Sequence, residues 1–441
     1  AEQSDYQATA TGEEVDAYLK TLVEGWPAAE LTEIGTTIEG RSISTVVVQP
    51  QIKSLEKPLT VLILGGIHSG ECDGKEGLLA LARDMATGKQ GTWWQSLRLI
   101  LVPNFSADAN ERRGVEHRPA QAGPDQGMGV RENPQGLDLN RDFVKIETPE
   151  VRSLVAALDK FDADVLIDLH TTNGSLHRYD LTYDIPHNPM LSPAVNDWLR
   201  GTLMPSVTDR MTESGFSTFY YGNFDREHRK WTTFGHQPRY STEYMGLRGK
   251  IGILSESYSY VSYQRRIEAS YAFTLEVLRS LVESQKDVRS LLDDATAAGE
   301  PGQEIPLRAD LAKTADGQLA LGFRTADGST PRGPYNSAAL ASHEPKDYLV
   351  ELWNRFETTE TVSLPNAYAI PAQYAWAVDR LRRHGIQVLQ LSESSQARVE
   401  AYQITSLKRA PEFQAHRILT VETEVAASEL ELPAGTFVVP V

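Results

Sequence analysis

The sequence predicts an α/β fold: a mixed, largely parallel sheet flanked by helices, followed by a smaller β-rich C-terminal domain. Three observations predict it. The run at 59–65 has no polar face and reads as an interior strand of a sheet covered on both sides, with 97–102 as another buried strand and 164–170 as a strand that ends on a histidine. Helical patterns at about 71–86 and 148–160 alternate with those strands, so right-handed crossovers are expected. After about residue 305 the pattern changes to short alternating strands, which marks a second unit.

Along the chain, a first helix is expected over 11–25, with Thr11 as N-cap, Glu13 and Glu14 in the first turn, and a stripe of Val15, Leu19, Leu22 and Val23. A hairpin over 31–49 turns at Glu39-Gly40. The strand at 59–65 leads through Gly65 and Gly66 into a helix, and the strand at 97–102 stops at Pro103. Residues 104–137 are rich in Gly, Pro, Asn and charge, the composition of a functional or mobile loop. Thr148-Pro149-Glu150 opens the next helix, and the strand after it ends on His170. Residues 171–190 and 216–248 read as irregular, with a helix over 192–214 between them. A short strand over 250–256 ends on Glu256, and a long helix covers 262–284, with Ile267, Tyr271, Phe273, Leu275 and Leu278 as buried candidates. Residues 1–290 then form one domain, 291–305 a linker and 306–441 an accessory domain. Strands are expected there near 310–324, 346–352, 398–406, 416–424 and 436–440, with one helix at 372–384 capped by Gly385.

Bulk chemistry narrows the function. The chain has 441 residues, enough for a large α/β domain with an appendage, and its 40% hydrophobic and 23% charged residues are those of a folded protein. Forty-three basic against 60 acidic residues leave a formal charge of −17. That balance argues against nucleic acid or an anionic membrane as the main partner, because both need a basic patch. No run of about 18 apolar residues occurs, so no membrane span is expected. The lone cysteine, Cys72, excludes an intrachain disulfide and reads as helix-start packing rather than as a nucleophile. The chain opens at Ala1, from which processing is expected, by removal of an export signal or by trimming; a secreted or periplasmic location is the expectation.

The residues that carry chemistry sit at strand ends. His68 and Glu71 lie three apart, on one side of a turn or incipient helix, where an imidazole and a carboxylate can share a zinc ion if a third ligand arrives. Alone, the pair reads more simply as a helix-start glutamate beside a solvated histidine. Two further strands end on such groups, His170 and Glu256. In an open α/β sheet the ligand crevice lies beyond the carboxyl ends of the strands, so all four residues can converge there. His68, Glu71 and His170 then make a two-histidine, one-carboxylate site with a position left for water.

Residues 65–71, the Gly-x-Asp-x-Asn-Arg segment at 136–141, and the strands ending at His170 and Glu256 resemble the zinc carboxypeptidases of the carboxypeptidase A-like type. The hairpin at 34–43 is similar to their N-terminal signature, and the resemblance covers roughly 5–285 in linear order. It implies that His68, Glu71 and His170 bind one zinc ion per chain. It implies that Glu256 is the general base, taking a proton from water and handing it to the leaving amine. By the same resemblance Asp138 accepts a hydrogen bond from the first histidine, and Asn140 and Arg141 grip the substrate's terminal carboxylate. Arg131 is implied as the oxyanion stabiliser, with Arg112, Arg113 and Arg118 as alternatives in the same loop. Two departures stand out. Asp142 replaces an asparagine that many relatives carry, and the site-closing tyrosine has four candidates in Tyr240, Tyr244, Tyr258 and Tyr260. Gly174 to His177 reads as cleft lining or as polar loop filler.

The expected function is a zinc metallocarboxypeptidase acting on peptides with a free C-terminal carboxylate. The alternative is a deacylase or amidase of the same architecture, acting on N-acyl amino acids or cell-wall peptides. A non-catalytic zinc-bearing binding protein is a third reading.

Overall fold

The computed structural model describes residues 1–54, 56–295 and 299–441. Helix α1 (Gly12–Glu24) starts at Thr11, whose side chain accepts the Glu14 N–H while Glu14 accepts the Thr11 N–H. This reciprocal cap satisfies two donors that a helix start otherwise leaves open. β1 (Ala29–Thr36) and β2 (Ser42–Val48) form the expected antiparallel hairpin. β3 (Thr60–Gly65), α2 (Asp73–Ala86), β4 (Arg98–Val102), α3 (Ala107–Glu111), α4 (Pro149–Phe161) and β5 (Val165–Thr172) follow.

Two stretches expected to be irregular hold elements of their own. β6 (Leu181–Asp184) lies in the first; β7 (Thr218–Tyr220), β8 (Asn223–Phe224), β9 (Lys230–Thr232) and α7 (Ser241–Leu247) lie in the second. Pieces this short carry no readable periodicity. Between them, α5 (Pro193–Trp198) runs through a π-helical turn at Leu199–Leu203 into α6 (Met204–Glu213), where the sequence pattern implies one helix. β10 (Ile251–Tyr258) and α8 (Tyr263–Glu283) close this half.

The central sheet has eight strands in the order β1-β2-β4-β3-β5-β10-β6-β7. Its middle four run parallel, so the carboxyl ends of β3, β5 and β10 open on one edge. Every residue of β3 and β5 is buried, as strands covered on both faces must be. Side chains of α1, α2, α6 and α8 build the core on one face, and those of α4 and α7 build it on the other.

The boundary expected at 291–305 falls differently. Helix α9 (Gln285–Ala295) carries Val288 and Leu292 into the first of these cores, and its Arg289 pairs with Asp164 at 2.6 Å. Residues 296–298 of the expected linker lie outside the described residues. Nor do residues 306–441 stand apart. β11 (Glu304–Arg324) and β12 (Glu344–Ser363) form a long hairpin joined through α10 (Ser337–Ser342), and β12 pairs in parallel with β9. Tyr179, Phe224 and Trp231 thereby share a core with Ala320, Tyr348, Val350 and Leu352. The joint is invisible in the sequence because its near side is only a two-residue and a three-residue strand.

β13 (Ala367–Ile370), α11 (Ala375–Arg383), β14 (Leu389–Gln390) and β17 (Phe437–Pro440) form a small terminal unit. Within it β15 (Ser395–Phe413) and β16 (His416–Leu432) form a second long, mostly exposed hairpin. The hairpin's tip returns to the main body. Gln414 Oε1 accepts the Asp138 N–H at 2.7 Å, and His416 Nε2 lies 2.6 Å from Glu147. Among the described residues, no helix is long and apolar enough to cross a membrane.

Candidate active site

The site begins where β3 ends. A Cβ at Gly65 would meet the Pro103 carbonyl at 2.7 Å, and Gly66 has φ +72°, so both positions of this turn demand glycine. The turn sets His68 and Glu71 at the mouth of α2, with the Glu71 N–H donating to the His68 carbonyl at 3.0 Å. On the neighbouring strands, Glu256 of β10 stands level with His170 of β5 in the parallel ladder.

His68, Glu71 and His170 are all buried, and one ligand atom from each lies within 4.8 Å of the others. The two imidazoles are held alike. His68 Nε2 lies 2.8 Å from Asp138 Oδ1, and His170 Nε2 lies 2.9 Å from Asp168 Oδ2. A carboxylate accepting at Nε2 leaves the lone pair on Nδ1. Both Nδ1 atoms face Glu71, at 3.3 and 2.9 Å. His68 Nδ1 is buried without a hydrogen-bond partner, a state that a bound cation relieves. Two imidazole nitrogens and a carboxylate form a donor set that suits zinc.

The electrostatics differ sharply among the carboxylates. Burial opposes a charge on Glu71, but His68 and Arg118 hold its carboxyl well below the usual range. Burial likewise disfavours the Asp138 charge, and His68 and Arg131 overcome it. At Glu256 burial wins: it pushes the carboxyl up, reinforced by Glu71 and opposed by His170 and Arg131. Glu256 makes no hydrogen bond among the described residues, which leaves its oxygens available.

The loop arginines divide into two pairs. Arg131 donates to Asp138 Oδ2 from Nε at 3.0 Å and to Glu71 Oε1 from Nη1 at 3.3 Å. Arg118 donates to the same Glu71 oxygen at 3.0 Å and to the Thr171 carbonyl at 3.0 Å. Arg112 instead pairs with Glu39, and Arg113 bonds the carbonyls of Thr9 and Asn110. Asn140 Oδ1 accepts the Ser241 N–H at 2.8 Å, and its Nδ2 lies 3.3 Å from His170 Nε2. The Arg141 guanidinium lies 4.6 Å from the centre of the Tyr240 ring. His68, Glu71, His170, Glu256, Arg118, Arg131, Asn140, Arg141 and Tyr240 all line one cavity of about 280 Å³.

Of the four candidate tyrosines, Tyr240 alone lines that cavity. The hydroxyl of Tyr244 is engaged by His384 and Arg248, that of Tyr258 by Ser175 and His177, and that of Tyr260 by the Asn173 carbonyl. Asp142 faces away from Arg141. Its carboxylate accepts the N–H and hydroxyl of Thr148 at 2.8 and 2.7 Å and the Glu147 N–H at 3.1 Å, which seats the start of α4. Gly174 and Ser175 line a second cavity beside the first, and His177 is buried beneath Tyr258.

Two further residues matter that the motifs do not signal. Asp168 stands two before His170 in β5, hence on the same face of the strand, and orients its ring. Period-two alternation could have found it. Asp73, fully buried, accepts from Thr171 Oγ1 at 2.8 Å, from Arg266 Nε at 3.3 Å and from Ser257. It ties the start of α2 to β5, β10 and α8, and so fixes Glu71 against His170 and Glu256. Its partner Arg266 lies 193 residues away in sequence, and no local pattern reveals it.

A buried two-histidine, one-carboxylate set beside an unbonded glutamate, at the carboxyl edge of a mixed sheet, is the arrangement of a metal-dependent hydrolase. A family model described as zinc carboxypeptidase matches residues 15–277; the chain belongs to that family and is a peptidase. It is similar to Carboxypeptidase 2 of Trichophyton rubrum, 20% identical over 424 residues that span 91% of this chain and 73% of that one. Carboxypeptidase E of Caenorhabditis elegans is 30% identical over 161 residues, 34% of this chain and 32% of that one. Among solved structures, carboxypeptidase A from Helicoverpa armigera aligns with a TM-score of 0.49 at 15% identity, covering 64% of this chain and 75% of that one. A metallo-carboxypeptidase from Pseudomonas aeruginosa, in complex with (2-guanidinoethylmercapto)succinic acid, aligns with a TM-score of 0.47 at 18% identity, covering 64% and 70%.

Proposed function

We propose that this protein is a zinc-dependent carboxypeptidase that hydrolyses the C-terminal peptide bond of peptides. One observation carries the reading: a single cavity joins the donor trio, the unbonded Glu256, and arginines at two of its walls. Membership of the zinc carboxypeptidase family supports it.

His68, Glu71 and His170 would hold one zinc ion, with Asp138 and Asp168 fixing the imidazoles so that each Nδ1 lone pair points inward. When bound, the ion polarises a carbonyl and lowers the pKa of water to about 7. Glu256 takes a proton from the attacking water and delivers it to the departing amine nitrogen. Arg131 and Arg118 keep positive charge beside Glu71, where it favours an oxyanion over a neutral carbonyl. Arg141, a planar fork of donors, holds the substrate's terminal carboxylate together with Asn140, and the stacked Tyr240 fixes the plane of the fork. Because the Asp142 carboxylate is spent on the α4 cap, it leaves that recognition intact.

The test uses N-blocked peptides with free or amidated C termini, beside N-acyl amino acids, on zinc-loaded and chelated protein. Cleavage of the free-acid peptides, lost on amidation, on chelation and in Arg141→Ala, is the expected result. Faster turnover of acyl amino acids than of any peptide would favour the deacylase instead.

A further inference from the structure

A second cavity, of about 680 Å³, adjoins the catalytic one. The two share Asn173, but the second contains none of Asn140, Arg141 or Tyr240. A peptide whose carboxylate sits at Arg141 can reach this second cavity past Asn173.

The second cavity has two walls of different origin. One comes from the loops at 173–175 and 223–228 and from Tyr260, within the family-matched segment. The other comes from residues 331–335, in the connection between β11 and β12, which lies outside that segment. The connection is anchored. Tyr335 sits edge-on to Tyr260 with ring centres 6.3 Å apart, and Ala339 and Phe323 are buried with Leu176 and Tyr258.

The chemistry of the lining favours an anion. Arg226 projects from one wall and Arg332 from the other, and neither has an ion-pair or hydrogen-bond partner for its guanidinium among the described residues. The one carboxylate in the lining, Asp225, already accepts the N–H groups of Arg229 and Lys230 at 2.7 and 3.0 Å. His228 supplies an independent sign of a missing ligand. It is 4% exposed and lines the cavity, packed flat on Phe224 with ring centres 4.3 Å apart, and its Nδ1 has no partner. A buried polar atom left unpaired is rare in a folded protein and marks a place where something else bonds.

We infer that this cavity is a substrate subsite for an acidic side chain upstream of the scissile bond, with Arg226 and Arg332 holding the carboxylate. The inference rests on reading the catalytic cavity as a C-terminal peptide-bond site. It makes the β11–β12 connection a specificity element rather than a passive part of the fold.

The experiment compares N-acetylated hexapeptides that share their last two residues and carry Glu, Ala or Lys at each upstream position in turn. N-blocked dipeptides, too short to reach the second cavity, are run in parallel. At one upstream position the zinc-loaded wild type is expected to prefer Glu to Lys by about fivefold in kcat/KM, mostly through KM, as one or two partly exposed ion pairs allow. Added salt should shrink the preference, and the double variant Arg226→Glu/Arg332→Glu should invert it. Dipeptide cleavage together with the same hexapeptide Glu-to-Lys ratio in wild type and double variant would overturn the subsite and leave the peptidase reading standing. Cleavage of none of the peptides would overturn both.

Discussion

At the scale of single residues, the centre depends on three carboxylates that burial treats differently. Glu71 is held ionised by the charges around it, Asp168 is committed to His170, and Glu256 is left without a partner. Glu256→Gln is expected to lower kcat by about 10²- to 10⁴-fold, the usual span of a general acid–base group, while zinc content stays near that of the wild type. Residual activity within a factor of two would remove Glu256 from the proton-transfer role. Asp168→Ala should weaken zinc about 10- to 100-fold, read by competition with a chelator, because the His170 ring loses the acceptor that fixes it. Unchanged affinity would reduce Asp168 to packing. The H-x-x-E spacing and the two strand-end residues are legible in sequence because each lies at a turn or strand end with local signals. Asp168 sits inside an otherwise apolar strand, where a carboxylate registers only as an anomaly until its partner is known.

At the scale of elements, α2 is the part whose placement matters most, since Glu71 sits two residues before its first turn. The buried Asp73–Arg266 pair pins that turn to α8, and both side chains are fully enclosed. Arg266→Met is expected to cost about 3–5 kcal/mol in denaturant unfolding, because it strands the Asp73 charge in the interior. A second change, Asp73→Asn, should restore part of that loss. If the single variant melts like the wild type, the pair is not what holds α2. His177, on the loop after β5, adds a pH dependence. Burial lowers its pKa to about 3 from an ordinary 6.5, so between those values the unfolded chain binds a proton that the folded chain does not. Its contribution is therefore complete above pH 6.5 and is lost as pH falls, by about 1.4 kcal/mol per pH unit. Unfolding free energies from urea titrations between pH 6.5 and 4 should fall less steeply with falling pH, by about that amount per pH unit, in His177→Asn than in the wild type.

At the scale of the whole molecule, the region after residue 303 is structurally continuous with the part that carries the site. β12 extends the β8–β9 ribbon, and Trp231 is fully buried against residues of the C-terminal hairpin. A chain ending at residue 295 would expose Tyr179, Phe224 and Trp231 together, and at roughly 25 cal/mol per Å² of apolar surface that loss is large against the few kcal/mol by which proteins are stable. The truncated chain is expected to aggregate or to unfold without a cooperative transition. A soluble truncated chain with full dipeptide-cleaving activity would show instead that the hairpin is dispensable.

By itself, the sequence determined six of the eight strands of the central sheet and the identity of the residues that meet at its edge. Buried strands and capped helices are written in local patterns, and the turn at Gly65–Gly66 tolerates no side chain. Only the tertiary structure decided the rest. Arg118 beside Arg131 at Glu71, Tyr240 over Arg141, and the seam between β9 and β12 all depend on contacts between segments distant in the chain. Neither period nor composition encodes which of several like residues arrives. That choice is made by packing, when the long loop at 104–137 and the C-terminal hairpins close over the strand ends that His68, His170 and Glu256 already occupy.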